Sequence, residues 1–244
     1  MRGPRVLAAL TCILLACGGS PAPGQHQGAS PLAHVKRMVI PLDDKQPGAE
    51  VSLARNFYFI FDGSGSMTDS LSRSCTGGKK SRRKIDGAQW AVAEFMKAVP
   101  SNVRLGLYVF DTGGAREVVP LAADNRAQFL KAVGDVHAGG GTPLAAAIRN
   151  GTDALVKQYQ KQLGYGEFRL VVVTDGLADD IPAAAVYAAQ RGIPIYAIGL
   201  CIGGDHPLRQ YCVSYRAADS FDDLQRGLED TLAELPDVAP TDFH

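Results

Sequence analysis

Asp62-Gly63-Ser64-Gly65-Ser66-Met67 sets one carboxylate and two hydroxyls on alternate positions of a glycine-interrupted hexapeptide. Hard oxygen donors of this kind suit Mg²⁺ or another hard divalent cation. The glycines let the backbone curl closely enough for alternate side chains to meet at one point. Two later segments carry compatible chemistry. Gly139-Gly140-Gly141-Thr142-Pro143 offers the hydroxyl of Thr142, and Val171-Val172-Val173-Thr174-Asp175-Gly176 offers the carboxylate of Asp175.

Donors so far apart in sequence meet only if the chain places them at one edge of a fold. Asn56 to Phe61 is an apolar run that reads as a buried strand ending at Asp62. Val103 to Phe110, Phe168 to Thr174 and Pro194 to Leu200 read the same way, with Val, Ile and Leu dense enough for strands covered on both faces. Glu117 to Leu121 reads as a shorter strand. Ile85, Ala88, Val92, Phe95, Met96 and Val99 repeat at helical spacing and stop near Pro100. Leu144 to Gln162, Ile181 to Gln190 and Phe221 to Leu235 are further helical segments, the last introduced by Asp219-Ser220 as a candidate cap. Alternation of this kind predicts an α/β fold with a doubly wound, mostly parallel central sheet flanked by helices, Rossmann-like in layout. Ligands in such folds sit beyond the carboxyl ends of the strands, where both Asp62 and Asp175 fall.

The three motifs together resemble the von Willebrand factor type A domain. Its metal-ion-dependent adhesion site uses a D-x-S-x-S loop, a distant Thr and a distant Asp. The resemblance covers roughly residues 54 to 237 and assigns Asp62, Ser64, Ser66, Thr142 and Asp175 as the metal-site residues. It implies hydroxyl ligation by Ser64, Ser66 and Thr142, with Asp62 and Asp175 acting largely through water. It implies Mg²⁺, or Mn²⁺ or Ca²⁺, as cofactor, and a carboxylate from a partner protein on the open position of the ion. It also implies a short antiparallel edge strand, for which Glu117 to Leu121 is the candidate. The implied function is metal-dependent protein binding, and no nucleophile and base pair in the sequence points to an enzyme. Two alternatives are a metal-dependent hydrolase of the phosphatase kind with Asp62 as nucleophile, and a degenerate scaffold without metal. A dehalogenase-type phosphatase needs a second Asp where Ser64 stands, Gly63-Ser64-Gly65 lacks the third glycine of a dinucleotide loop, and Gly77-Gly78-Lys79-Lys80-Ser81 lacks phosphate-loop spacing.

Arg2 and Arg5 followed by the apolar stretch Val6 to Ala16 read as a secretory signal, too short for a membrane span. Leu14-Leu15-Ala16-Cys17 resembles a bacterial lipobox, which implies cleavage before Cys17 and lipidation, including palmitate-type acylation, of that cysteine. The expected organisation is a lipoprotein signal peptide over 1–16, a flexible tether over 17–50, the domain over 51–237 and a tail over 238–244. Within the tether, His34 to Pro41 reads as a short strand, as a segment lying on the domain, or as a partly ordered linker. The expected location is the cell envelope, lipid-anchored, with outer-membrane sorting implied by Gly18. The 244 residues carry 25 basic and 25 acidic side chains, so no global charge argues for nucleic acid.

Of five cysteines, Cys75, Cys201 and Cys212 remain after the signal and the lipidated position. Pairing Cys201 with Cys212 closes the shortest loop, and Cys75 competes for Cys201. Arg73, Lys79, Lys80, Arg82, Arg83 and Lys84 form a basic run, either a solvated face or a surface that steers an acidic partner. His137 reads as a loop histidine or as an edge of the site. Asp111 reads as a supporting carboxylate or as a cap. Asp179 and Asp180 read as a helix-start pair, and Trp90 falls opposite its helix's apolar stripe.

Overall fold

In the computed structural model, residues 31–70, 83–176, 178, 180–201, 206–218 and 220–232 are described. Six strands form one sheet: β1 (Arg55–Asp62), β2 (Arg104–Asp111), β3 (Gly114–Ala122), β4 (Glu167–Thr174), β5 (Ile195–Leu200) and β6 (Ser214–Ala218). Their spatial order is β3-β2-β1-β4-β5-β6. All neighbours are parallel except β2 and β3, which pair antiparallel at one edge. The edge strand anticipated at Glu117 to Leu121 is therefore present and slightly longer. The order reverses direction between β1 and β4, which makes the crevice between their carboxyl ends the switch point of the sheet.

Helices α1 (Lys84–Ala98), α2 (Arg126–Gly134), α3 (Leu144–Lys161), α4 (Ile181–Gln190) and α5 (Phe221–Asp230) cover the sheet. One core layer joins Phe57, Phe59 and Phe61 of β1 to Ile85, Val92, Phe95 and Met96 of α1, Phe129 of α2 and Leu224 and Leu228 of α5. The other joins Tyr58 and Ile60 to Leu144, Ile148 and Leu155 of α3 and to Ile181, Ala184 and Ala188 of α4. Alternate β1 residues thus serve opposite layers, which is why Phe57 to Phe61 is apolar or aromatic throughout rather than alternating. Each large apolar side chain so buried stabilises by about 1.5–3 kcal/mol.

Helix α2 was not legible in the sequence. It has only nine residues, and only Phe129 and Val133 are buried. Arg126 anchors it, donating to the carbonyl of Val99 at 2.7 Å and of Pro100 at 2.8 Å at the end of α1. Ser220 does cap α5, accepting from the Asp223 amide at 3.0 Å. Asp180 occupies the N-cap position of α4 with φ of 57° but makes no side-chain cap. Its carboxylate turns to Arg149 at 3.4 Å instead. Asp179 lies outside the described residues.

Residues 35–54 run without regular structure along the amino-terminal end of the sheet. The Met38 amide donates to the Gln190 carbonyl at 2.7 Å and the Glu50 amide to the Lys161 carbonyl at 2.9 Å. Gln162 Nε2 holds the Ser52 carbonyl at 2.9 Å. The segment lies on the domain rather than adding a strand, and β1 begins directly after it. Among the described residues, no helix is long and apolar enough to cross a membrane.

Candidate metal centre

The β1 chain turns sharply after Asp62 because its local bonds leave no other path. Gly63 donates to the Phe110 carbonyl at 2.9 Å, and Gly65 donates to the Gly140 carbonyl at 3.0 Å. Gly139 returns a bond to the Gly63 carbonyl at 2.8 Å. A side chain on Gly63 would put its Cβ 2.6 Å from Val136 Cγ1, so only glycine fits there. Gly140 has φ of +83°, and its Cβ would crowd the Asp111 carbonyl at 3.2 Å. The two glycine motifs seen in the sequence thus lock onto each other, and this carries Thr142 toward the β1 loop.

The five expected site residues come together. The Ser64 amide donates to Asp62 Oδ1 at 2.8 Å, closing a small turn over the strand end. Ser64 Oγ and Ser66 Oγ lie 3.2 Å apart, and Ser66 Oγ donates to Asp175 Oδ1 at 2.7 Å. Ser64 starts the 3₁₀ turn Gly65–Thr68 without capping it by its side chain. Its hydroxyl therefore stays directed at the cluster. Thr142 Oγ1 and Asp62 Oδ2 both lie within 4 Å of the same point above Gly176. Asp62 and Ser64 are almost fully buried, and Asp175 is 5% exposed.

Burial pushes the Asp62 carboxyl above its ordinary range, and the nearby charge of Asp175 adds to this. Hydrogen bonds from Ser64 and Thr174 pull the other way. Thr174 donates to Asp62 Oδ2 at 2.5 Å, so both oxygens of Asp62 accept hydrogen bonds. Two carboxylates sit almost without solvent, and among the described residues the cation beside them is Lys84. Its Nζ donates to Asp175 Oδ2 at 2.7 Å. Lys84 thus points inward, which corrects its assignment to a partner-facing basic surface. It is the first residue of α1, and the helix start carries it to the site. Arg83 is occupied in a two-pronged pair with Asp86 at 2.7 and 3.1 Å. Arg73, Lys79, Lys80 and Arg82 lie outside the described residues.

The chemistry of these donors fits a hard cation. Buried carboxylates lacking full neutralisation, ringed by three hydroxyls, favour an ion that takes oxygen ligands. Among the described residues, no group of three or more His, Cys, Asp or Glu side chains is set to hold a metal, so the donor set rests on hydroxyls.

Two contributors were not read from the sequence. Thr174 ends β4 with a hydroxyl that braces Asp62; a polar residue closing an otherwise apolar strand beside Asp175 was its only signal. His206 is almost fully buried, accepts from the Leu208 amide at Nδ1 over 3.1 Å and places Nε2 3.0 Å from the Gly176 carbonyl. Burial holds its pKa down, and because Nδ1 accepts, Nε2 is the nitrogen that donates to Gly176. It stacks on Tyr215 at 5.9 Å and fixes the backbone immediately after Asp175. Nothing local in the sequence signals that long-range pairing.

His137 is a loop residue, with Nδ1 2.7 Å from the Asp135 carbonyl. Asp111 acts in the β2–β3 turn, accepting from the Gly113 amide at 2.7 Å and pairing with Arg116 at 2.6 Å. Trp90 is exposed on the outer face of α1, as its position implied. Cys212 is a free thiol, pushed up to about 12 by burial. The expected Cys201–Cys212 bridge is therefore not formed. Cys212 ends a turn ahead of β6, where its sulfur faces the Arg209 carbonyl at 3.9 Å. Cys201 is disulfide-bonded, and its partner lies outside the described residues.

A doubly wound sheet with a hydroxyl and carboxylate cluster at its switch point defines a binding-type α/β module. Residues 57–177 match the family model of the von Willebrand factor type A domain. The chain carries a von Willebrand factor type A domain. No curated protein matches it. Among solved structures it is similar to an aerotolerance-related membrane protein from Bacteroides fragilis, at 19% identity and TM-score 0.52, over 72% of this chain and 98% of that one. It is also similar to the pilus adhesin SpaC from Lactobacillus rhamnosus GG, at 16% identity and TM-score 0.57, over 75% of this chain but 30% of the adhesin. A third is proximal thread matrix protein 1 from the mussel byssus, whose metal-ion-dependent adhesion site holds zinc, at 16% identity and TM-score 0.54, over 75% and 48% of the two chains. At these identities the likeness concerns the fold.

Proposed function

We propose that this chain is a divalent-metal-dependent protein-binding module of the bacterial cell envelope. The observation that carries the reading is the convergence of Ser64, Ser66 and Thr142 hydroxyls with buried Asp62 and Asp175 at the switch point. These residues would hold Mg²⁺, or Mn²⁺ or Ca²⁺. A bound divalent cation there supplies an electrophilic centre for one carboxylate of a partner protein. Ser66 donates its hydroxyl hydrogen bond to Asp175, which leaves its oxygen lone pairs toward the centre. Asp62 is held rigid by Ser64 and Thr174, so it sets the position of the β1 loop. Beside Thr142 an open cavity of about 500 Å³, lined by Phe110, Thr112, Gly140 and Pro143 among others, offers room for the partner's side chain and backbone.

The hydrolase reading needs an Asp62 oxygen free to attack. Both oxygens accept hydrogen bonds and the residue is fully buried, so binding is the better account. Neutral hydroxyls from Ser64, Ser66 and Thr142 would leave a bound ion electrophilic.

The same reading includes acylation of Cys17, with residues 1–16 removed, 17–50 as the tether, 51–237 as the domain and 238–244 as a tail. With Cys12 leaving in the signal and Cys17 acylated, Cys75 is the thiol this reading leaves for Cys201. Any of Arg73, Lys79, Lys80, Arg82 and Arg83 facing solvent would speed encounter with an acidic partner, an effect that fades with salt. The test is capture from envelope extract by the full chain in Mg²⁺ and in chelator. Partner retained in Mg²⁺ and lost in chelator supports the reading. Equal retention in both removes the metal mechanism.

A further inference from the structure

Lys84 occupies a position that its own helix disfavours. It opens α1, preceded by Arg83, which provides no side-chain cap. A cation at this end opposes the helix dipole, and a surface lysine would turn outward into water. This one turns inward. Its side chain is 15% exposed, and its ammonium donates to Asp175 Oδ2, on a carboxylate with 0% exposure. A second carboxylate, exposed Asp69, stands 4.0 Å from the same nitrogen. The backbone fixes this placement, because the Lys84 amide donates to the Asp69 carbonyl at 3.0 Å and Ser70 pairs with Arg83 as an isolated antiparallel bridge.

We propose that Lys84 is a resident counter-cation of the metal centre, which shares Asp175 with the incoming metal and sets how tightly that metal is held. The inference rests on the metal reading above and adds a control that the five site residues do not contain. Asp175 has two oxygens. Ser66 donates to one and Lys84 to the other. With the ammonium in place, the buried carboxylate is neutralised, and the domain folds without metal. A divalent ion must then compete with a charge already on Asp175, and the two positive charges repel at short range in a poorly solvated site. Asp69 gives the displaced ammonium a nearby second partner. Metal affinity is thereby lowered, and a partner carboxylate, by adding negative charge, raises it again. Metal and partner then strengthen each other by the same factor, as linkage requires. A site built this way holds its ion firmly only while engaged.

The test is calorimetric titration of Mg²⁺ into the full chain, together with thermal melts in chelator, for wild type, Lys84→Met, Asp175→Asn and the double variant. Lys84→Met should bind Mg²⁺ about tenfold more tightly and melt about 5 °C lower in chelator, because an unpaired buried carboxylate is left behind. In the Asp175→Asn background, the same substitution should leave the chelator melt unchanged. Mg²⁺ binding to wild type that is equal or weaker in Lys84→Met would overturn the proposal and leave the metal reading standing. Absence of Mg²⁺ binding in both wild type and Lys84→Met would overturn the metal reading and this proposal with it. If Lys84→Met does not fold, Lys84→Gln, which keeps a donor toward Asp175, carries the same affinity test with the same sign.

Discussion

Asp62 and Asp111 end neighbouring parallel strands at the same edge of the sheet, and both are buried. Each accepts the amide of the residue two positions on, at 2.8 Å from Ser64 and 2.7 Å from Gly113. Local chemistry is nearly the same, yet the outcomes are opposite. At Asp111 burial works to raise the pKa, but Arg116 and the Gly113 amide outweigh it and hold the carboxyl below its ordinary value. At Asp62 no arginine among the described residues arrives, and burial holds the carboxyl above its ordinary value. One carboxylate is satisfied by its own hairpin and stabilises a turn. The other is left short of positive charge. That shortage is what the proposed metal reading would satisfy.

The largest effect that separates the two is on metal. Asp62→Ala combined with Thr142→Ala should abolish Mg²⁺ binding by calorimetry, while Asp111→Asn should leave it intact; retained binding in the first variant would break the assignment of the site. Stability should sort the pair in opposite directions. Asp111→Asn removes a charge-assisted bond and should cost about 1–3 kcal/mol at neutral pH. Asp62→Asn in chelator should stabilise by about 1 kcal/mol, since it removes a buried charge while Thr174 can turn its hydroxyl to accept. Denaturant melts of both variants decide this, and destabilisation by Asp62→Asn would show that its charge is already compensated.

The pH dependence sharpens the same contrast. A carboxyl with a raised folded pKa holds its proton better when folded. Asp62 therefore contributes stability that is present below the unfolded carboxyl value and is lost as pH rises through the folded one. Asp111 has a lowered folded pKa, so its contribution is present above the unfolded value and is lost as pH falls through the folded one. Melts in chelator from pH 3 to 7 should show the two variants departing from wild type with opposite slopes. The smallest effect belongs to His206. Its folded pKa is lowered, so its contribution stands above the unfolded histidine value of about 6.5 and is lost as pH falls below that. Protonation takes Nδ1 away from the Leu208 amide, and the loss should be about 1 kcal/mol or less by pH 5.5. His206→Gln should flatten that step; an unchanged step would place the proton elsewhere.

Much of this was open to reading from residue types alone. Strand ends were legible because runs such as Phe57 to Phe61 are apolar or aromatic on every residue, which only a sheet covered on both faces requires. That Asp62, Ser64, Ser66, Thr142 and Asp175 would meet at one edge was legible through the motifs that resemble the family's adhesion site, each at a strand end or in a glycine-rich loop. Helix α2 was not, because nine residues with two buried side chains leave little periodic signal. Lys84 was misassigned because it closes a run of like charges, and nothing in that run says which member turns inward. His206 and the Cys212 thiol depend on where the β5–β6 connection lies in space, and no local pattern encodes that.

The segment over residues 35–54 is fastened to the amino-terminal end of the sheet by bonds to Gln190, Lys161 and Gln162, and it passes straight into β1. β1 then runs through the middle of the sheet and stops at Asp62. A pull between the upstream chain and anything gripping the Asp62 loop is therefore carried along one strand. β2 and β4 hold that strand on both sides, and the ladder bonds between parallel strands lie across the direction of the pull. Such bonds are loaded in shear and must yield together rather than one at a time. The domain is strung like a rope with its core wrapped around it, resistant along the line from its amino-terminal side to the Asp62 loop.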